Sequence, residues 1–260
     1  MANGIQPDFR TAYREAGEIL SRRSNRLKLV EGFLFLVTFF IFAFLLREAC
    51  WQMALVLAVE QWEKVLLSIV GDLLFYGSLF LVVAPLFTGL LHMAVRMAND
   101  GDSFLIDLFY SFSSGKRYLR SLIVLFPLYW KFAVFCWFPG ILYDAFAVIF
   151  GNAVVFVVVG NVVLWILNVI WLLLALRGFV RLSFLLQWRM PLLAACRANR
   201  QIAGRSFSGG GRWWLCFLPR ILLGFLTVGI LLVADVIPRM LISYFRYAGR
   251  MTEYPFPLED

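Results

Sequence analysis

Five side chains that could carry charge or a strong hydrogen bond stand inside apolar runs: Asp72, Lys131, Asn161, Asp235 and Arg239. An ionisable group within a hydrocarbon-length segment is costly, so it marks either a functional site or a paired structural contact. At a rise of ~1.5 Å per residue, Asp72 and Lys131 fall at matching depth, about 10–12 Å from the outer ends of their segments. Matching depth makes an Asp72–Lys131 ion pair feasible. Asp235 and Arg239 have the i, i+4 spacing of a pair along one helix face. Asn161 and Asn168 are seven apart and share a face, the arrangement of an interhelical hydrogen bond. Together these groups would do one of two things. They would hold helices in register, or they would line a polar cavity that opens outward and takes an anionic headgroup or a small solute. His92 is the single histidine; it falls near the inner surface and reads as an interfacial residue rather than a proton relay or a ligand.

Catalytic signatures are absent. The sequence has no HExxH, no GxSxG and no metal-ligand cluster. Gly209–Gly211 lacks the Gly-Lys-Ser/Thr continuation of a phosphate loop. Cys50, Cys136, Cys196 and Cys216 form no CxxC pair, so neither a disulfide nor a zinc site is expected. No enzymatic activity and no cofactor are expected.

The elements that must position these residues follow from composition. Of 260 residues, 62% are hydrophobic and 15% charged, and mean hydropathy is +0.82. Soluble domains are about half apolar and about a quarter charged, so a water-soluble domain is excluded. The expected fold is all-α: one polytopic membrane domain over residues 1–260, with about six transmembrane helices and amphipathic interfacial helices. A span needs about 20 apolar residues. Apolar stretches of that kind cover about Leu27–Leu46, Val65–Met97, Tyr118–Phe138 and 152–177. The region Trp213–Ala248 is either one span or a hairpin of two turning at Thr227-Val228-Gly229; the hairpin is preferred. Val65–Met97 is too long for one untilted crossing, so it tilts or projects into the cytoplasm, with Pro85 as a kink. Pro139-Gly140 closes the third span.

Residues 1–26 read as an amphipathic helix on the membrane surface, because Phe9, Tyr13, Ala16, Ile19 and Leu20 recur at helical spacing. A helix packed on cytoplasmic loops is the alternative. Residues 104–113 form a short apolar helix half in the interface. Pro191–Arg205 forms another surface helix, and 251–260 is a tail. With six spans and the N-terminus inside, 19 Lys/Arg fall on the inner side and two, Arg47 and Lys64, on the outer. That bias is the positive-inside signature. It accounts for the net charge of +8 without nucleic acid, and it places both termini in the cytoplasm. The stretch 177–212 carries seven Arg and no acid. Its Arg189, Arg197, Arg200 and Arg205 are candidate contacts for anionic lipid, each basic residue near such a leaflet contributing ~1 kcal/mol.

Three segments resemble one bacterial family. Val83-Ala84-Pro85-Leu86 through Gly89, then Asp102-Ser103 and Asp107-Leu108-Phe109-Tyr110-Ser111-Phe112, are similar to a small-x-G segment, a short loop and a DLF-x-x-F-like helix. Pro191-Leu192 through Ala194-Ala195-Cys196-Arg197 to Gly204 looks like an amphipathic segment after a long fourth helix. Leu226-Thr227-Val228-Gly229-Ile230 followed by Pro238 resembles an L-T-x-G-I tail. These segments occur together in the integral-membrane "domain of unknown function 975" family, itself similar to the membrane domain attached to some glycerophosphodiester phosphodiesterases. Arg189-Met190-Pro191-Leu192 departs from it, lacking the Ser/Thr cap and the acidic residue. The resemblance implies a multi-helix protein of the bacterial cytoplasmic membrane with no assigned activity. A lipid-interacting scaffold or accessory subunit for envelope-lipid handling is the expected role, its partners the bilayer, with anionic lipids, and an unidentified protein. A small transporter component with a polar site in the outer half is the alternative.

Overall fold

The structure is a computed structural model describing residues 9–57, 60–150, 158–171, 217, 219–224, 227 and 230–251. Every described element is helical. In chain order they are α1 (Phe9–Ser21), α2 (Arg23–Leu57), α3 (Gln61–Ser78), α4 (Ala84–Asp100), a 3-10 segment (Leu105–Ser113), α5 (Gly115–Phe132), α6 (Phe138–Phe150), α7 (Val158–Trp171) and α8 (Ile237–Met251). The expected helix 191–205 lies outside the described residues, as do Arg189, Arg197, Arg200 and Arg205.

Three helical stretches among the described residues are long and apolar enough to cross a membrane: Ser24–Leu57, Trp62–Asp100 and Gly115–Tyr143. Several boundaries differ from those read in the sequence. Helix α2 does not stop at Leu46. Arg47, Glu48 and Gln52 continue it, Gln52 Nε2 donating to Glu48 Oε1 one turn back at 2.9 Å. Nor does Pro139-Gly140 end a helix, since the chain stays helical from Gly115 to Phe150.

Three short π-helical stretches explain how prolines are carried inside helices. Leu79–Val83, Ala133–Trp137 and Leu232–Val236 each end two residues before a proline: Pro85, Pro139 and Pro238. A proline has no N–H, and its ring crowds the carbonyl four residues back. Widening the turn to i→i+5 relieves that crowding. The residue before each of the first two prolines makes the wide bond, Ala84 N–H to Leu79 O and Phe138 N–H to Ala133 O. The chain thus absorbs Pro85 within the helix.

Contacts divide the chain into two compact units. The first comprises Met1–Leu36, Leu86–Tyr118 and Val180–Asp260. Its core is the inner face of α4: Leu86, Leu90, Leu91, Met93, Ala94, Met97 and Ala98 are all buried. Helix α1 packs along α8 in this unit. The small residues Ala12 and Ala16, with Leu20, are buried against protein, so the apolar face of α1 is covered rather than left for lipid. A surface helix and a helix packed on protein are the two readings of this face. The amphipathic pattern is the same in both cases, and only the packing of α8 decides what covers it. Thr227 N–H bonds to Leu223 O, and the Thr227 hydroxyl accepts Leu231 N–H at 3.3 Å.

The second unit comprises Val37–Pro85 and Leu119–Phe179. It carries a dense set of exposed large apolar side chains, including Phe42, Leu45, Leu55, Leu66, Leu73, Phe126 and Trp130. Such surface is suited to acyl chains rather than water. Between its helices it is held by ring contacts, Phe75 meeting Phe40 and Phe44, and Tyr76 meeting Phe132 and Trp137.

Candidate functional site

Asp72 is the most buried of the sequence-flagged charges, at 4% exposure. Its partner is Arg47 of α2, whose Nε donates to Asp72 Oδ1. Lys131, in the last turn of α5, takes no part, so the Asp72–Lys131 pair is not formed. Continuation of α2 to Leu57 is the reason. Arg47 then sits inside a helix, about as far before the α2–α3 turn as Asp72 lies after it. Gly71 brings the two backbones together, because a Cβ there would lie 2.9 Å from Cys50 Cβ. The pair neutralises the enclosed Asp72 carboxylate beside a close helix crossing.

The space beside the pair is small. A cleft lined by Trp51, Ser68, Ile69, Asp72, Ile141 and Ala145 offers about 10 Å³, no more than one water needs. Sites for small-molecule ligands are about 300–1,000 Å³. At this cleft the pair joins α2 to α3.

Asn161 does make an interhelical contact. Its Nδ2 donates to Tyr143 Oη at 3.3 Å. The crossing is tight at Gly160, where a Cβ would lie 2.3 Å from the Tyr143 ring. Asn168 instead bonds within its own helix, to Leu164 O at 2.8 Å.

Asp235 and Arg239 belong to the first unit and do pair, Arg239 Nη2 donating to Asp235 Oδ1 at 3.0 Å. Their surroundings bring in the start of the chain. Arg26, before the first apolar run, lies 3.9 Å from Asp235, and Arg239 Nη1 donates to Tyr13 Oη at 3.2 Å. Packing of α1 on α8 brings the chain's beginning to this pair. Arg246 approaches Glu15 at 3.9 Å on the same seam.

Among the described residues, a further polar network lies apart from the five flagged side chains. It gathers on the turn after α4 and the 3-10 segment. Gly101 has φ +76°, a conformation that glycine adopts without strain. Its carbonyl accepts Asn25 Nδ2 at 2.7 Å and Arg22 Nη1 at 3.4 Å. Lys28 Nζ donates to Asp102 Oδ1 at 2.7 Å and to Ser103 O at 2.6 Å. The Lys28 hydrogen bond, then the Ser103 backbone N–H, hold the Asp102 carboxyl below its ordinary pKa.

Beyond this turn the 3-10 segment folds back along α4. Asp107 bridges the two: Oδ2 accepts Phe104 N–H at 2.9 Å, and Oδ1 accepts Arg96 Nη1 at 2.8 Å. His92 stacks on Tyr110 with centroids 4.0 Å apart, and the hydroxyls of Thr88 and Ser111 bond in the core. Gly89 meets the backbone of Leu108 so closely that a Cβ would lie 1.8 Å from its carbonyl oxygen. The small-x-G and DLF-x-x-F segments are thus two sides of one packed contact. The sequence signal was available in the glycine and the following Asp-Leu-Phe; what it lacked was the pairing partner.

Among the described residues, no group of three or more His, Cys, Asp or Glu comes together to hold a metal. Cys50 and Cys136 are free thiols and buried. No family model matches the chain, no curated protein matches it, and no solved structure matches it. The likeness to the 975 family thus rests on its short segments alone, and the chain is a helical protein with apolar helices consistent with embedding in a membrane.

Proposed function

We propose that this protein is a non-enzymatic integral membrane scaffold or accessory subunit that interacts with lipid and serves envelope-lipid handling. It crosses the bacterial cytoplasmic membrane about six times with its N-terminus in the cytoplasm. Its basic inner segments, Arg189, Arg197, Arg200 and Arg205 among them, meet anionic headgroups. The observation carrying this reading is that the buried charge in the apolar helices is satisfied inside the protein: Asp72 is neutralised by Arg47 beside a cleft no larger than a water. A transport site would leave such a charge facing a cavity that a solute could enter.

The test is native mass spectrometry of the purified protein beside the Arg47→Met/Asp72→Leu variant. The expected result is that the double variant folds and retains the same lipids as the wild type. A solute held by the wild type and lost from a folded double variant would assign the pair to a binding site and overturn the reading.

A further inference from the structure

The 3-10 segment Leu105–Ser113 has three residues per turn, so side chains three apart form straight rows. One row is turned inward: Leu108 and Ser111 are buried against α4, with Asp107 beside them. Another, Ile106, Phe109 and Phe112, is exposed along its whole length, Ile106 at 75%. Phe104 and Leu105 add to it. Phe109 meets Phe35 of α2 edge-on at 5.4 Å, and Leu34 and Phe35 are exposed as well. One apolar face therefore runs over both elements of this unit. On α2 the exposed apolar positions continue at Ile41, Phe42 and Leu45, inside a stretch long enough to span a bilayer.

The cations bordering this face are Lys28, Arg96, Lys116 and Arg117; Lys28 is bound to Asp102 and Arg96 to Asp107, and Glu31 is exposed on α2. Between Phe104 and Arg117 the single carboxylate is Asp107, which is buried and paired with Arg96. Lys28 and Arg96 lie over the Phe104 ring at 5.5 and 5.4 Å, and Arg117 over the Tyr110 ring at 4.3 Å. Lys116 is exposed beside them. Apolar rings bordered by cations are the arrangement of an element that lies in the headgroup region, rings in the acyl boundary and cations at the phosphates.

We infer that the row Ile106, Phe109 and Phe112 is a membrane-interface anchor that docks on an anionic phospholipid leaflet, with Lys116 and Arg117 at the lipid phosphates. The inference rests on the membrane-embedded reading and deepens it by naming the surface and the lipid charge.

Single variants Ile106→Cys, Phe42→Cys and Arg14→Cys separate the two. The full chain is reconstituted in phosphatidylcholine vesicles with and without one-third phosphatidylglycerol, and labelled with a water-soluble maleimide above the wild-type background. Phe42, 66% exposed in α2, reports the span. Arg14, with its side chain 76% exposed on α1, reports water. The expected result is that Ile106→Cys reacts at least ten-fold more slowly than Arg14→Cys in the anionic vesicles, and several-fold faster in the neutral ones. Ile106→Cys reacting like Arg14→Cys, while Phe42→Cys stays protected, overturns the anchor and leaves the span reading intact. Labelling of Phe42→Cys at the Arg14→Cys rate overturns both. Protection that is equal in the two vesicles removes the anionic partner. Protection that falls as lipid is added in excess assigns the face to a second copy of the chain.

Discussion

Arg47 donates to Asp72 across the α2–α3 hairpin at the point where Gly71 lets the two helices touch. The pair is lopsided, Asp72 being almost fully enclosed while the Arg47 side chain is about a third exposed. The carboxylate is thus the group that depends on its partner.

Removing one charge should therefore cost far more than removing both. Arg47→Met is expected to destabilise the protein by about 3 kcal/mol, because it leaves the enclosed Asp72 carboxylate without its partner. Arg47→Met/Asp72→Leu should recover most of that loss. Lys131→Leu should change stability by about 0.5 kcal/mol or less. Thermal melts of the purified variants check all three, and a Lys131→Leu loss as large as that of Arg47→Met would contradict the assignment.

Gly89→Ala tests the contact between α4 and the 3-10 segment. The added methyl would collide with the Leu108 carbonyl, which is backbone and cannot rotate away. A loss of about 3 kcal/mol is expected, at the upper end for overpacking. Hydrogen exchange should rise in 104–113 before it rises in α2. Gly115→Ala, where nothing lies within 4 Å of the new Cβ, is the matching control.

Ala16→Leu tests whether α1 is held by protein or by lipid. Ala16 is fully buried in the unit that contains α8. A larger side chain should separate the two helices at a cost of about 1–3 kcal/mol and open α1 to limited proteolysis. If lipid covers this face, the same substitution would strengthen attachment, and α1 would become more resistant to protease.

The Lys28–Asp102 contact gives a pH dependence. The Asp102 carboxyl is held below its ordinary pKa by Lys28 and the Ser103 N–H. Its contribution to stability is therefore complete above the ordinary carboxylate range and is lost as pH falls through the lowered value. Asp102 is half exposed, so solvent weakens the effect. Exchange of the 99–103 amides should quicken below about pH 4 in the wild type, and Asp102→Asn should remove that step. An unchanged profile in Asp102→Asn would show that another group sets it.

Sequence alone determined the material of this fold. Hydropathy and segment length specify long apolar helices, and α2, α3–α4 and α5 bear that out, because burial of backbone polar groups in lipid leaves helix as the local solution. The i, i+4 spacing of Asp235 and Arg239 likewise specified their pairing, since the helix supplies that geometry by itself. Partners across helices were a different matter. Asp72 and Lys131 agreed in depth, yet depth is one coordinate of three, and α2 turned Arg47 toward Asp72. The repeat of apolar residues in α1 revealed a sticky face but not its cover; packing against α8 supplied that. Gly89 and Asp107 stood in the sequence as a small residue and a loop acid, and only the folding of the 3-10 segment back along α4 joined them. Local periodicity is written in one segment at a time, whereas a tertiary contact depends on two segments that the chain separates.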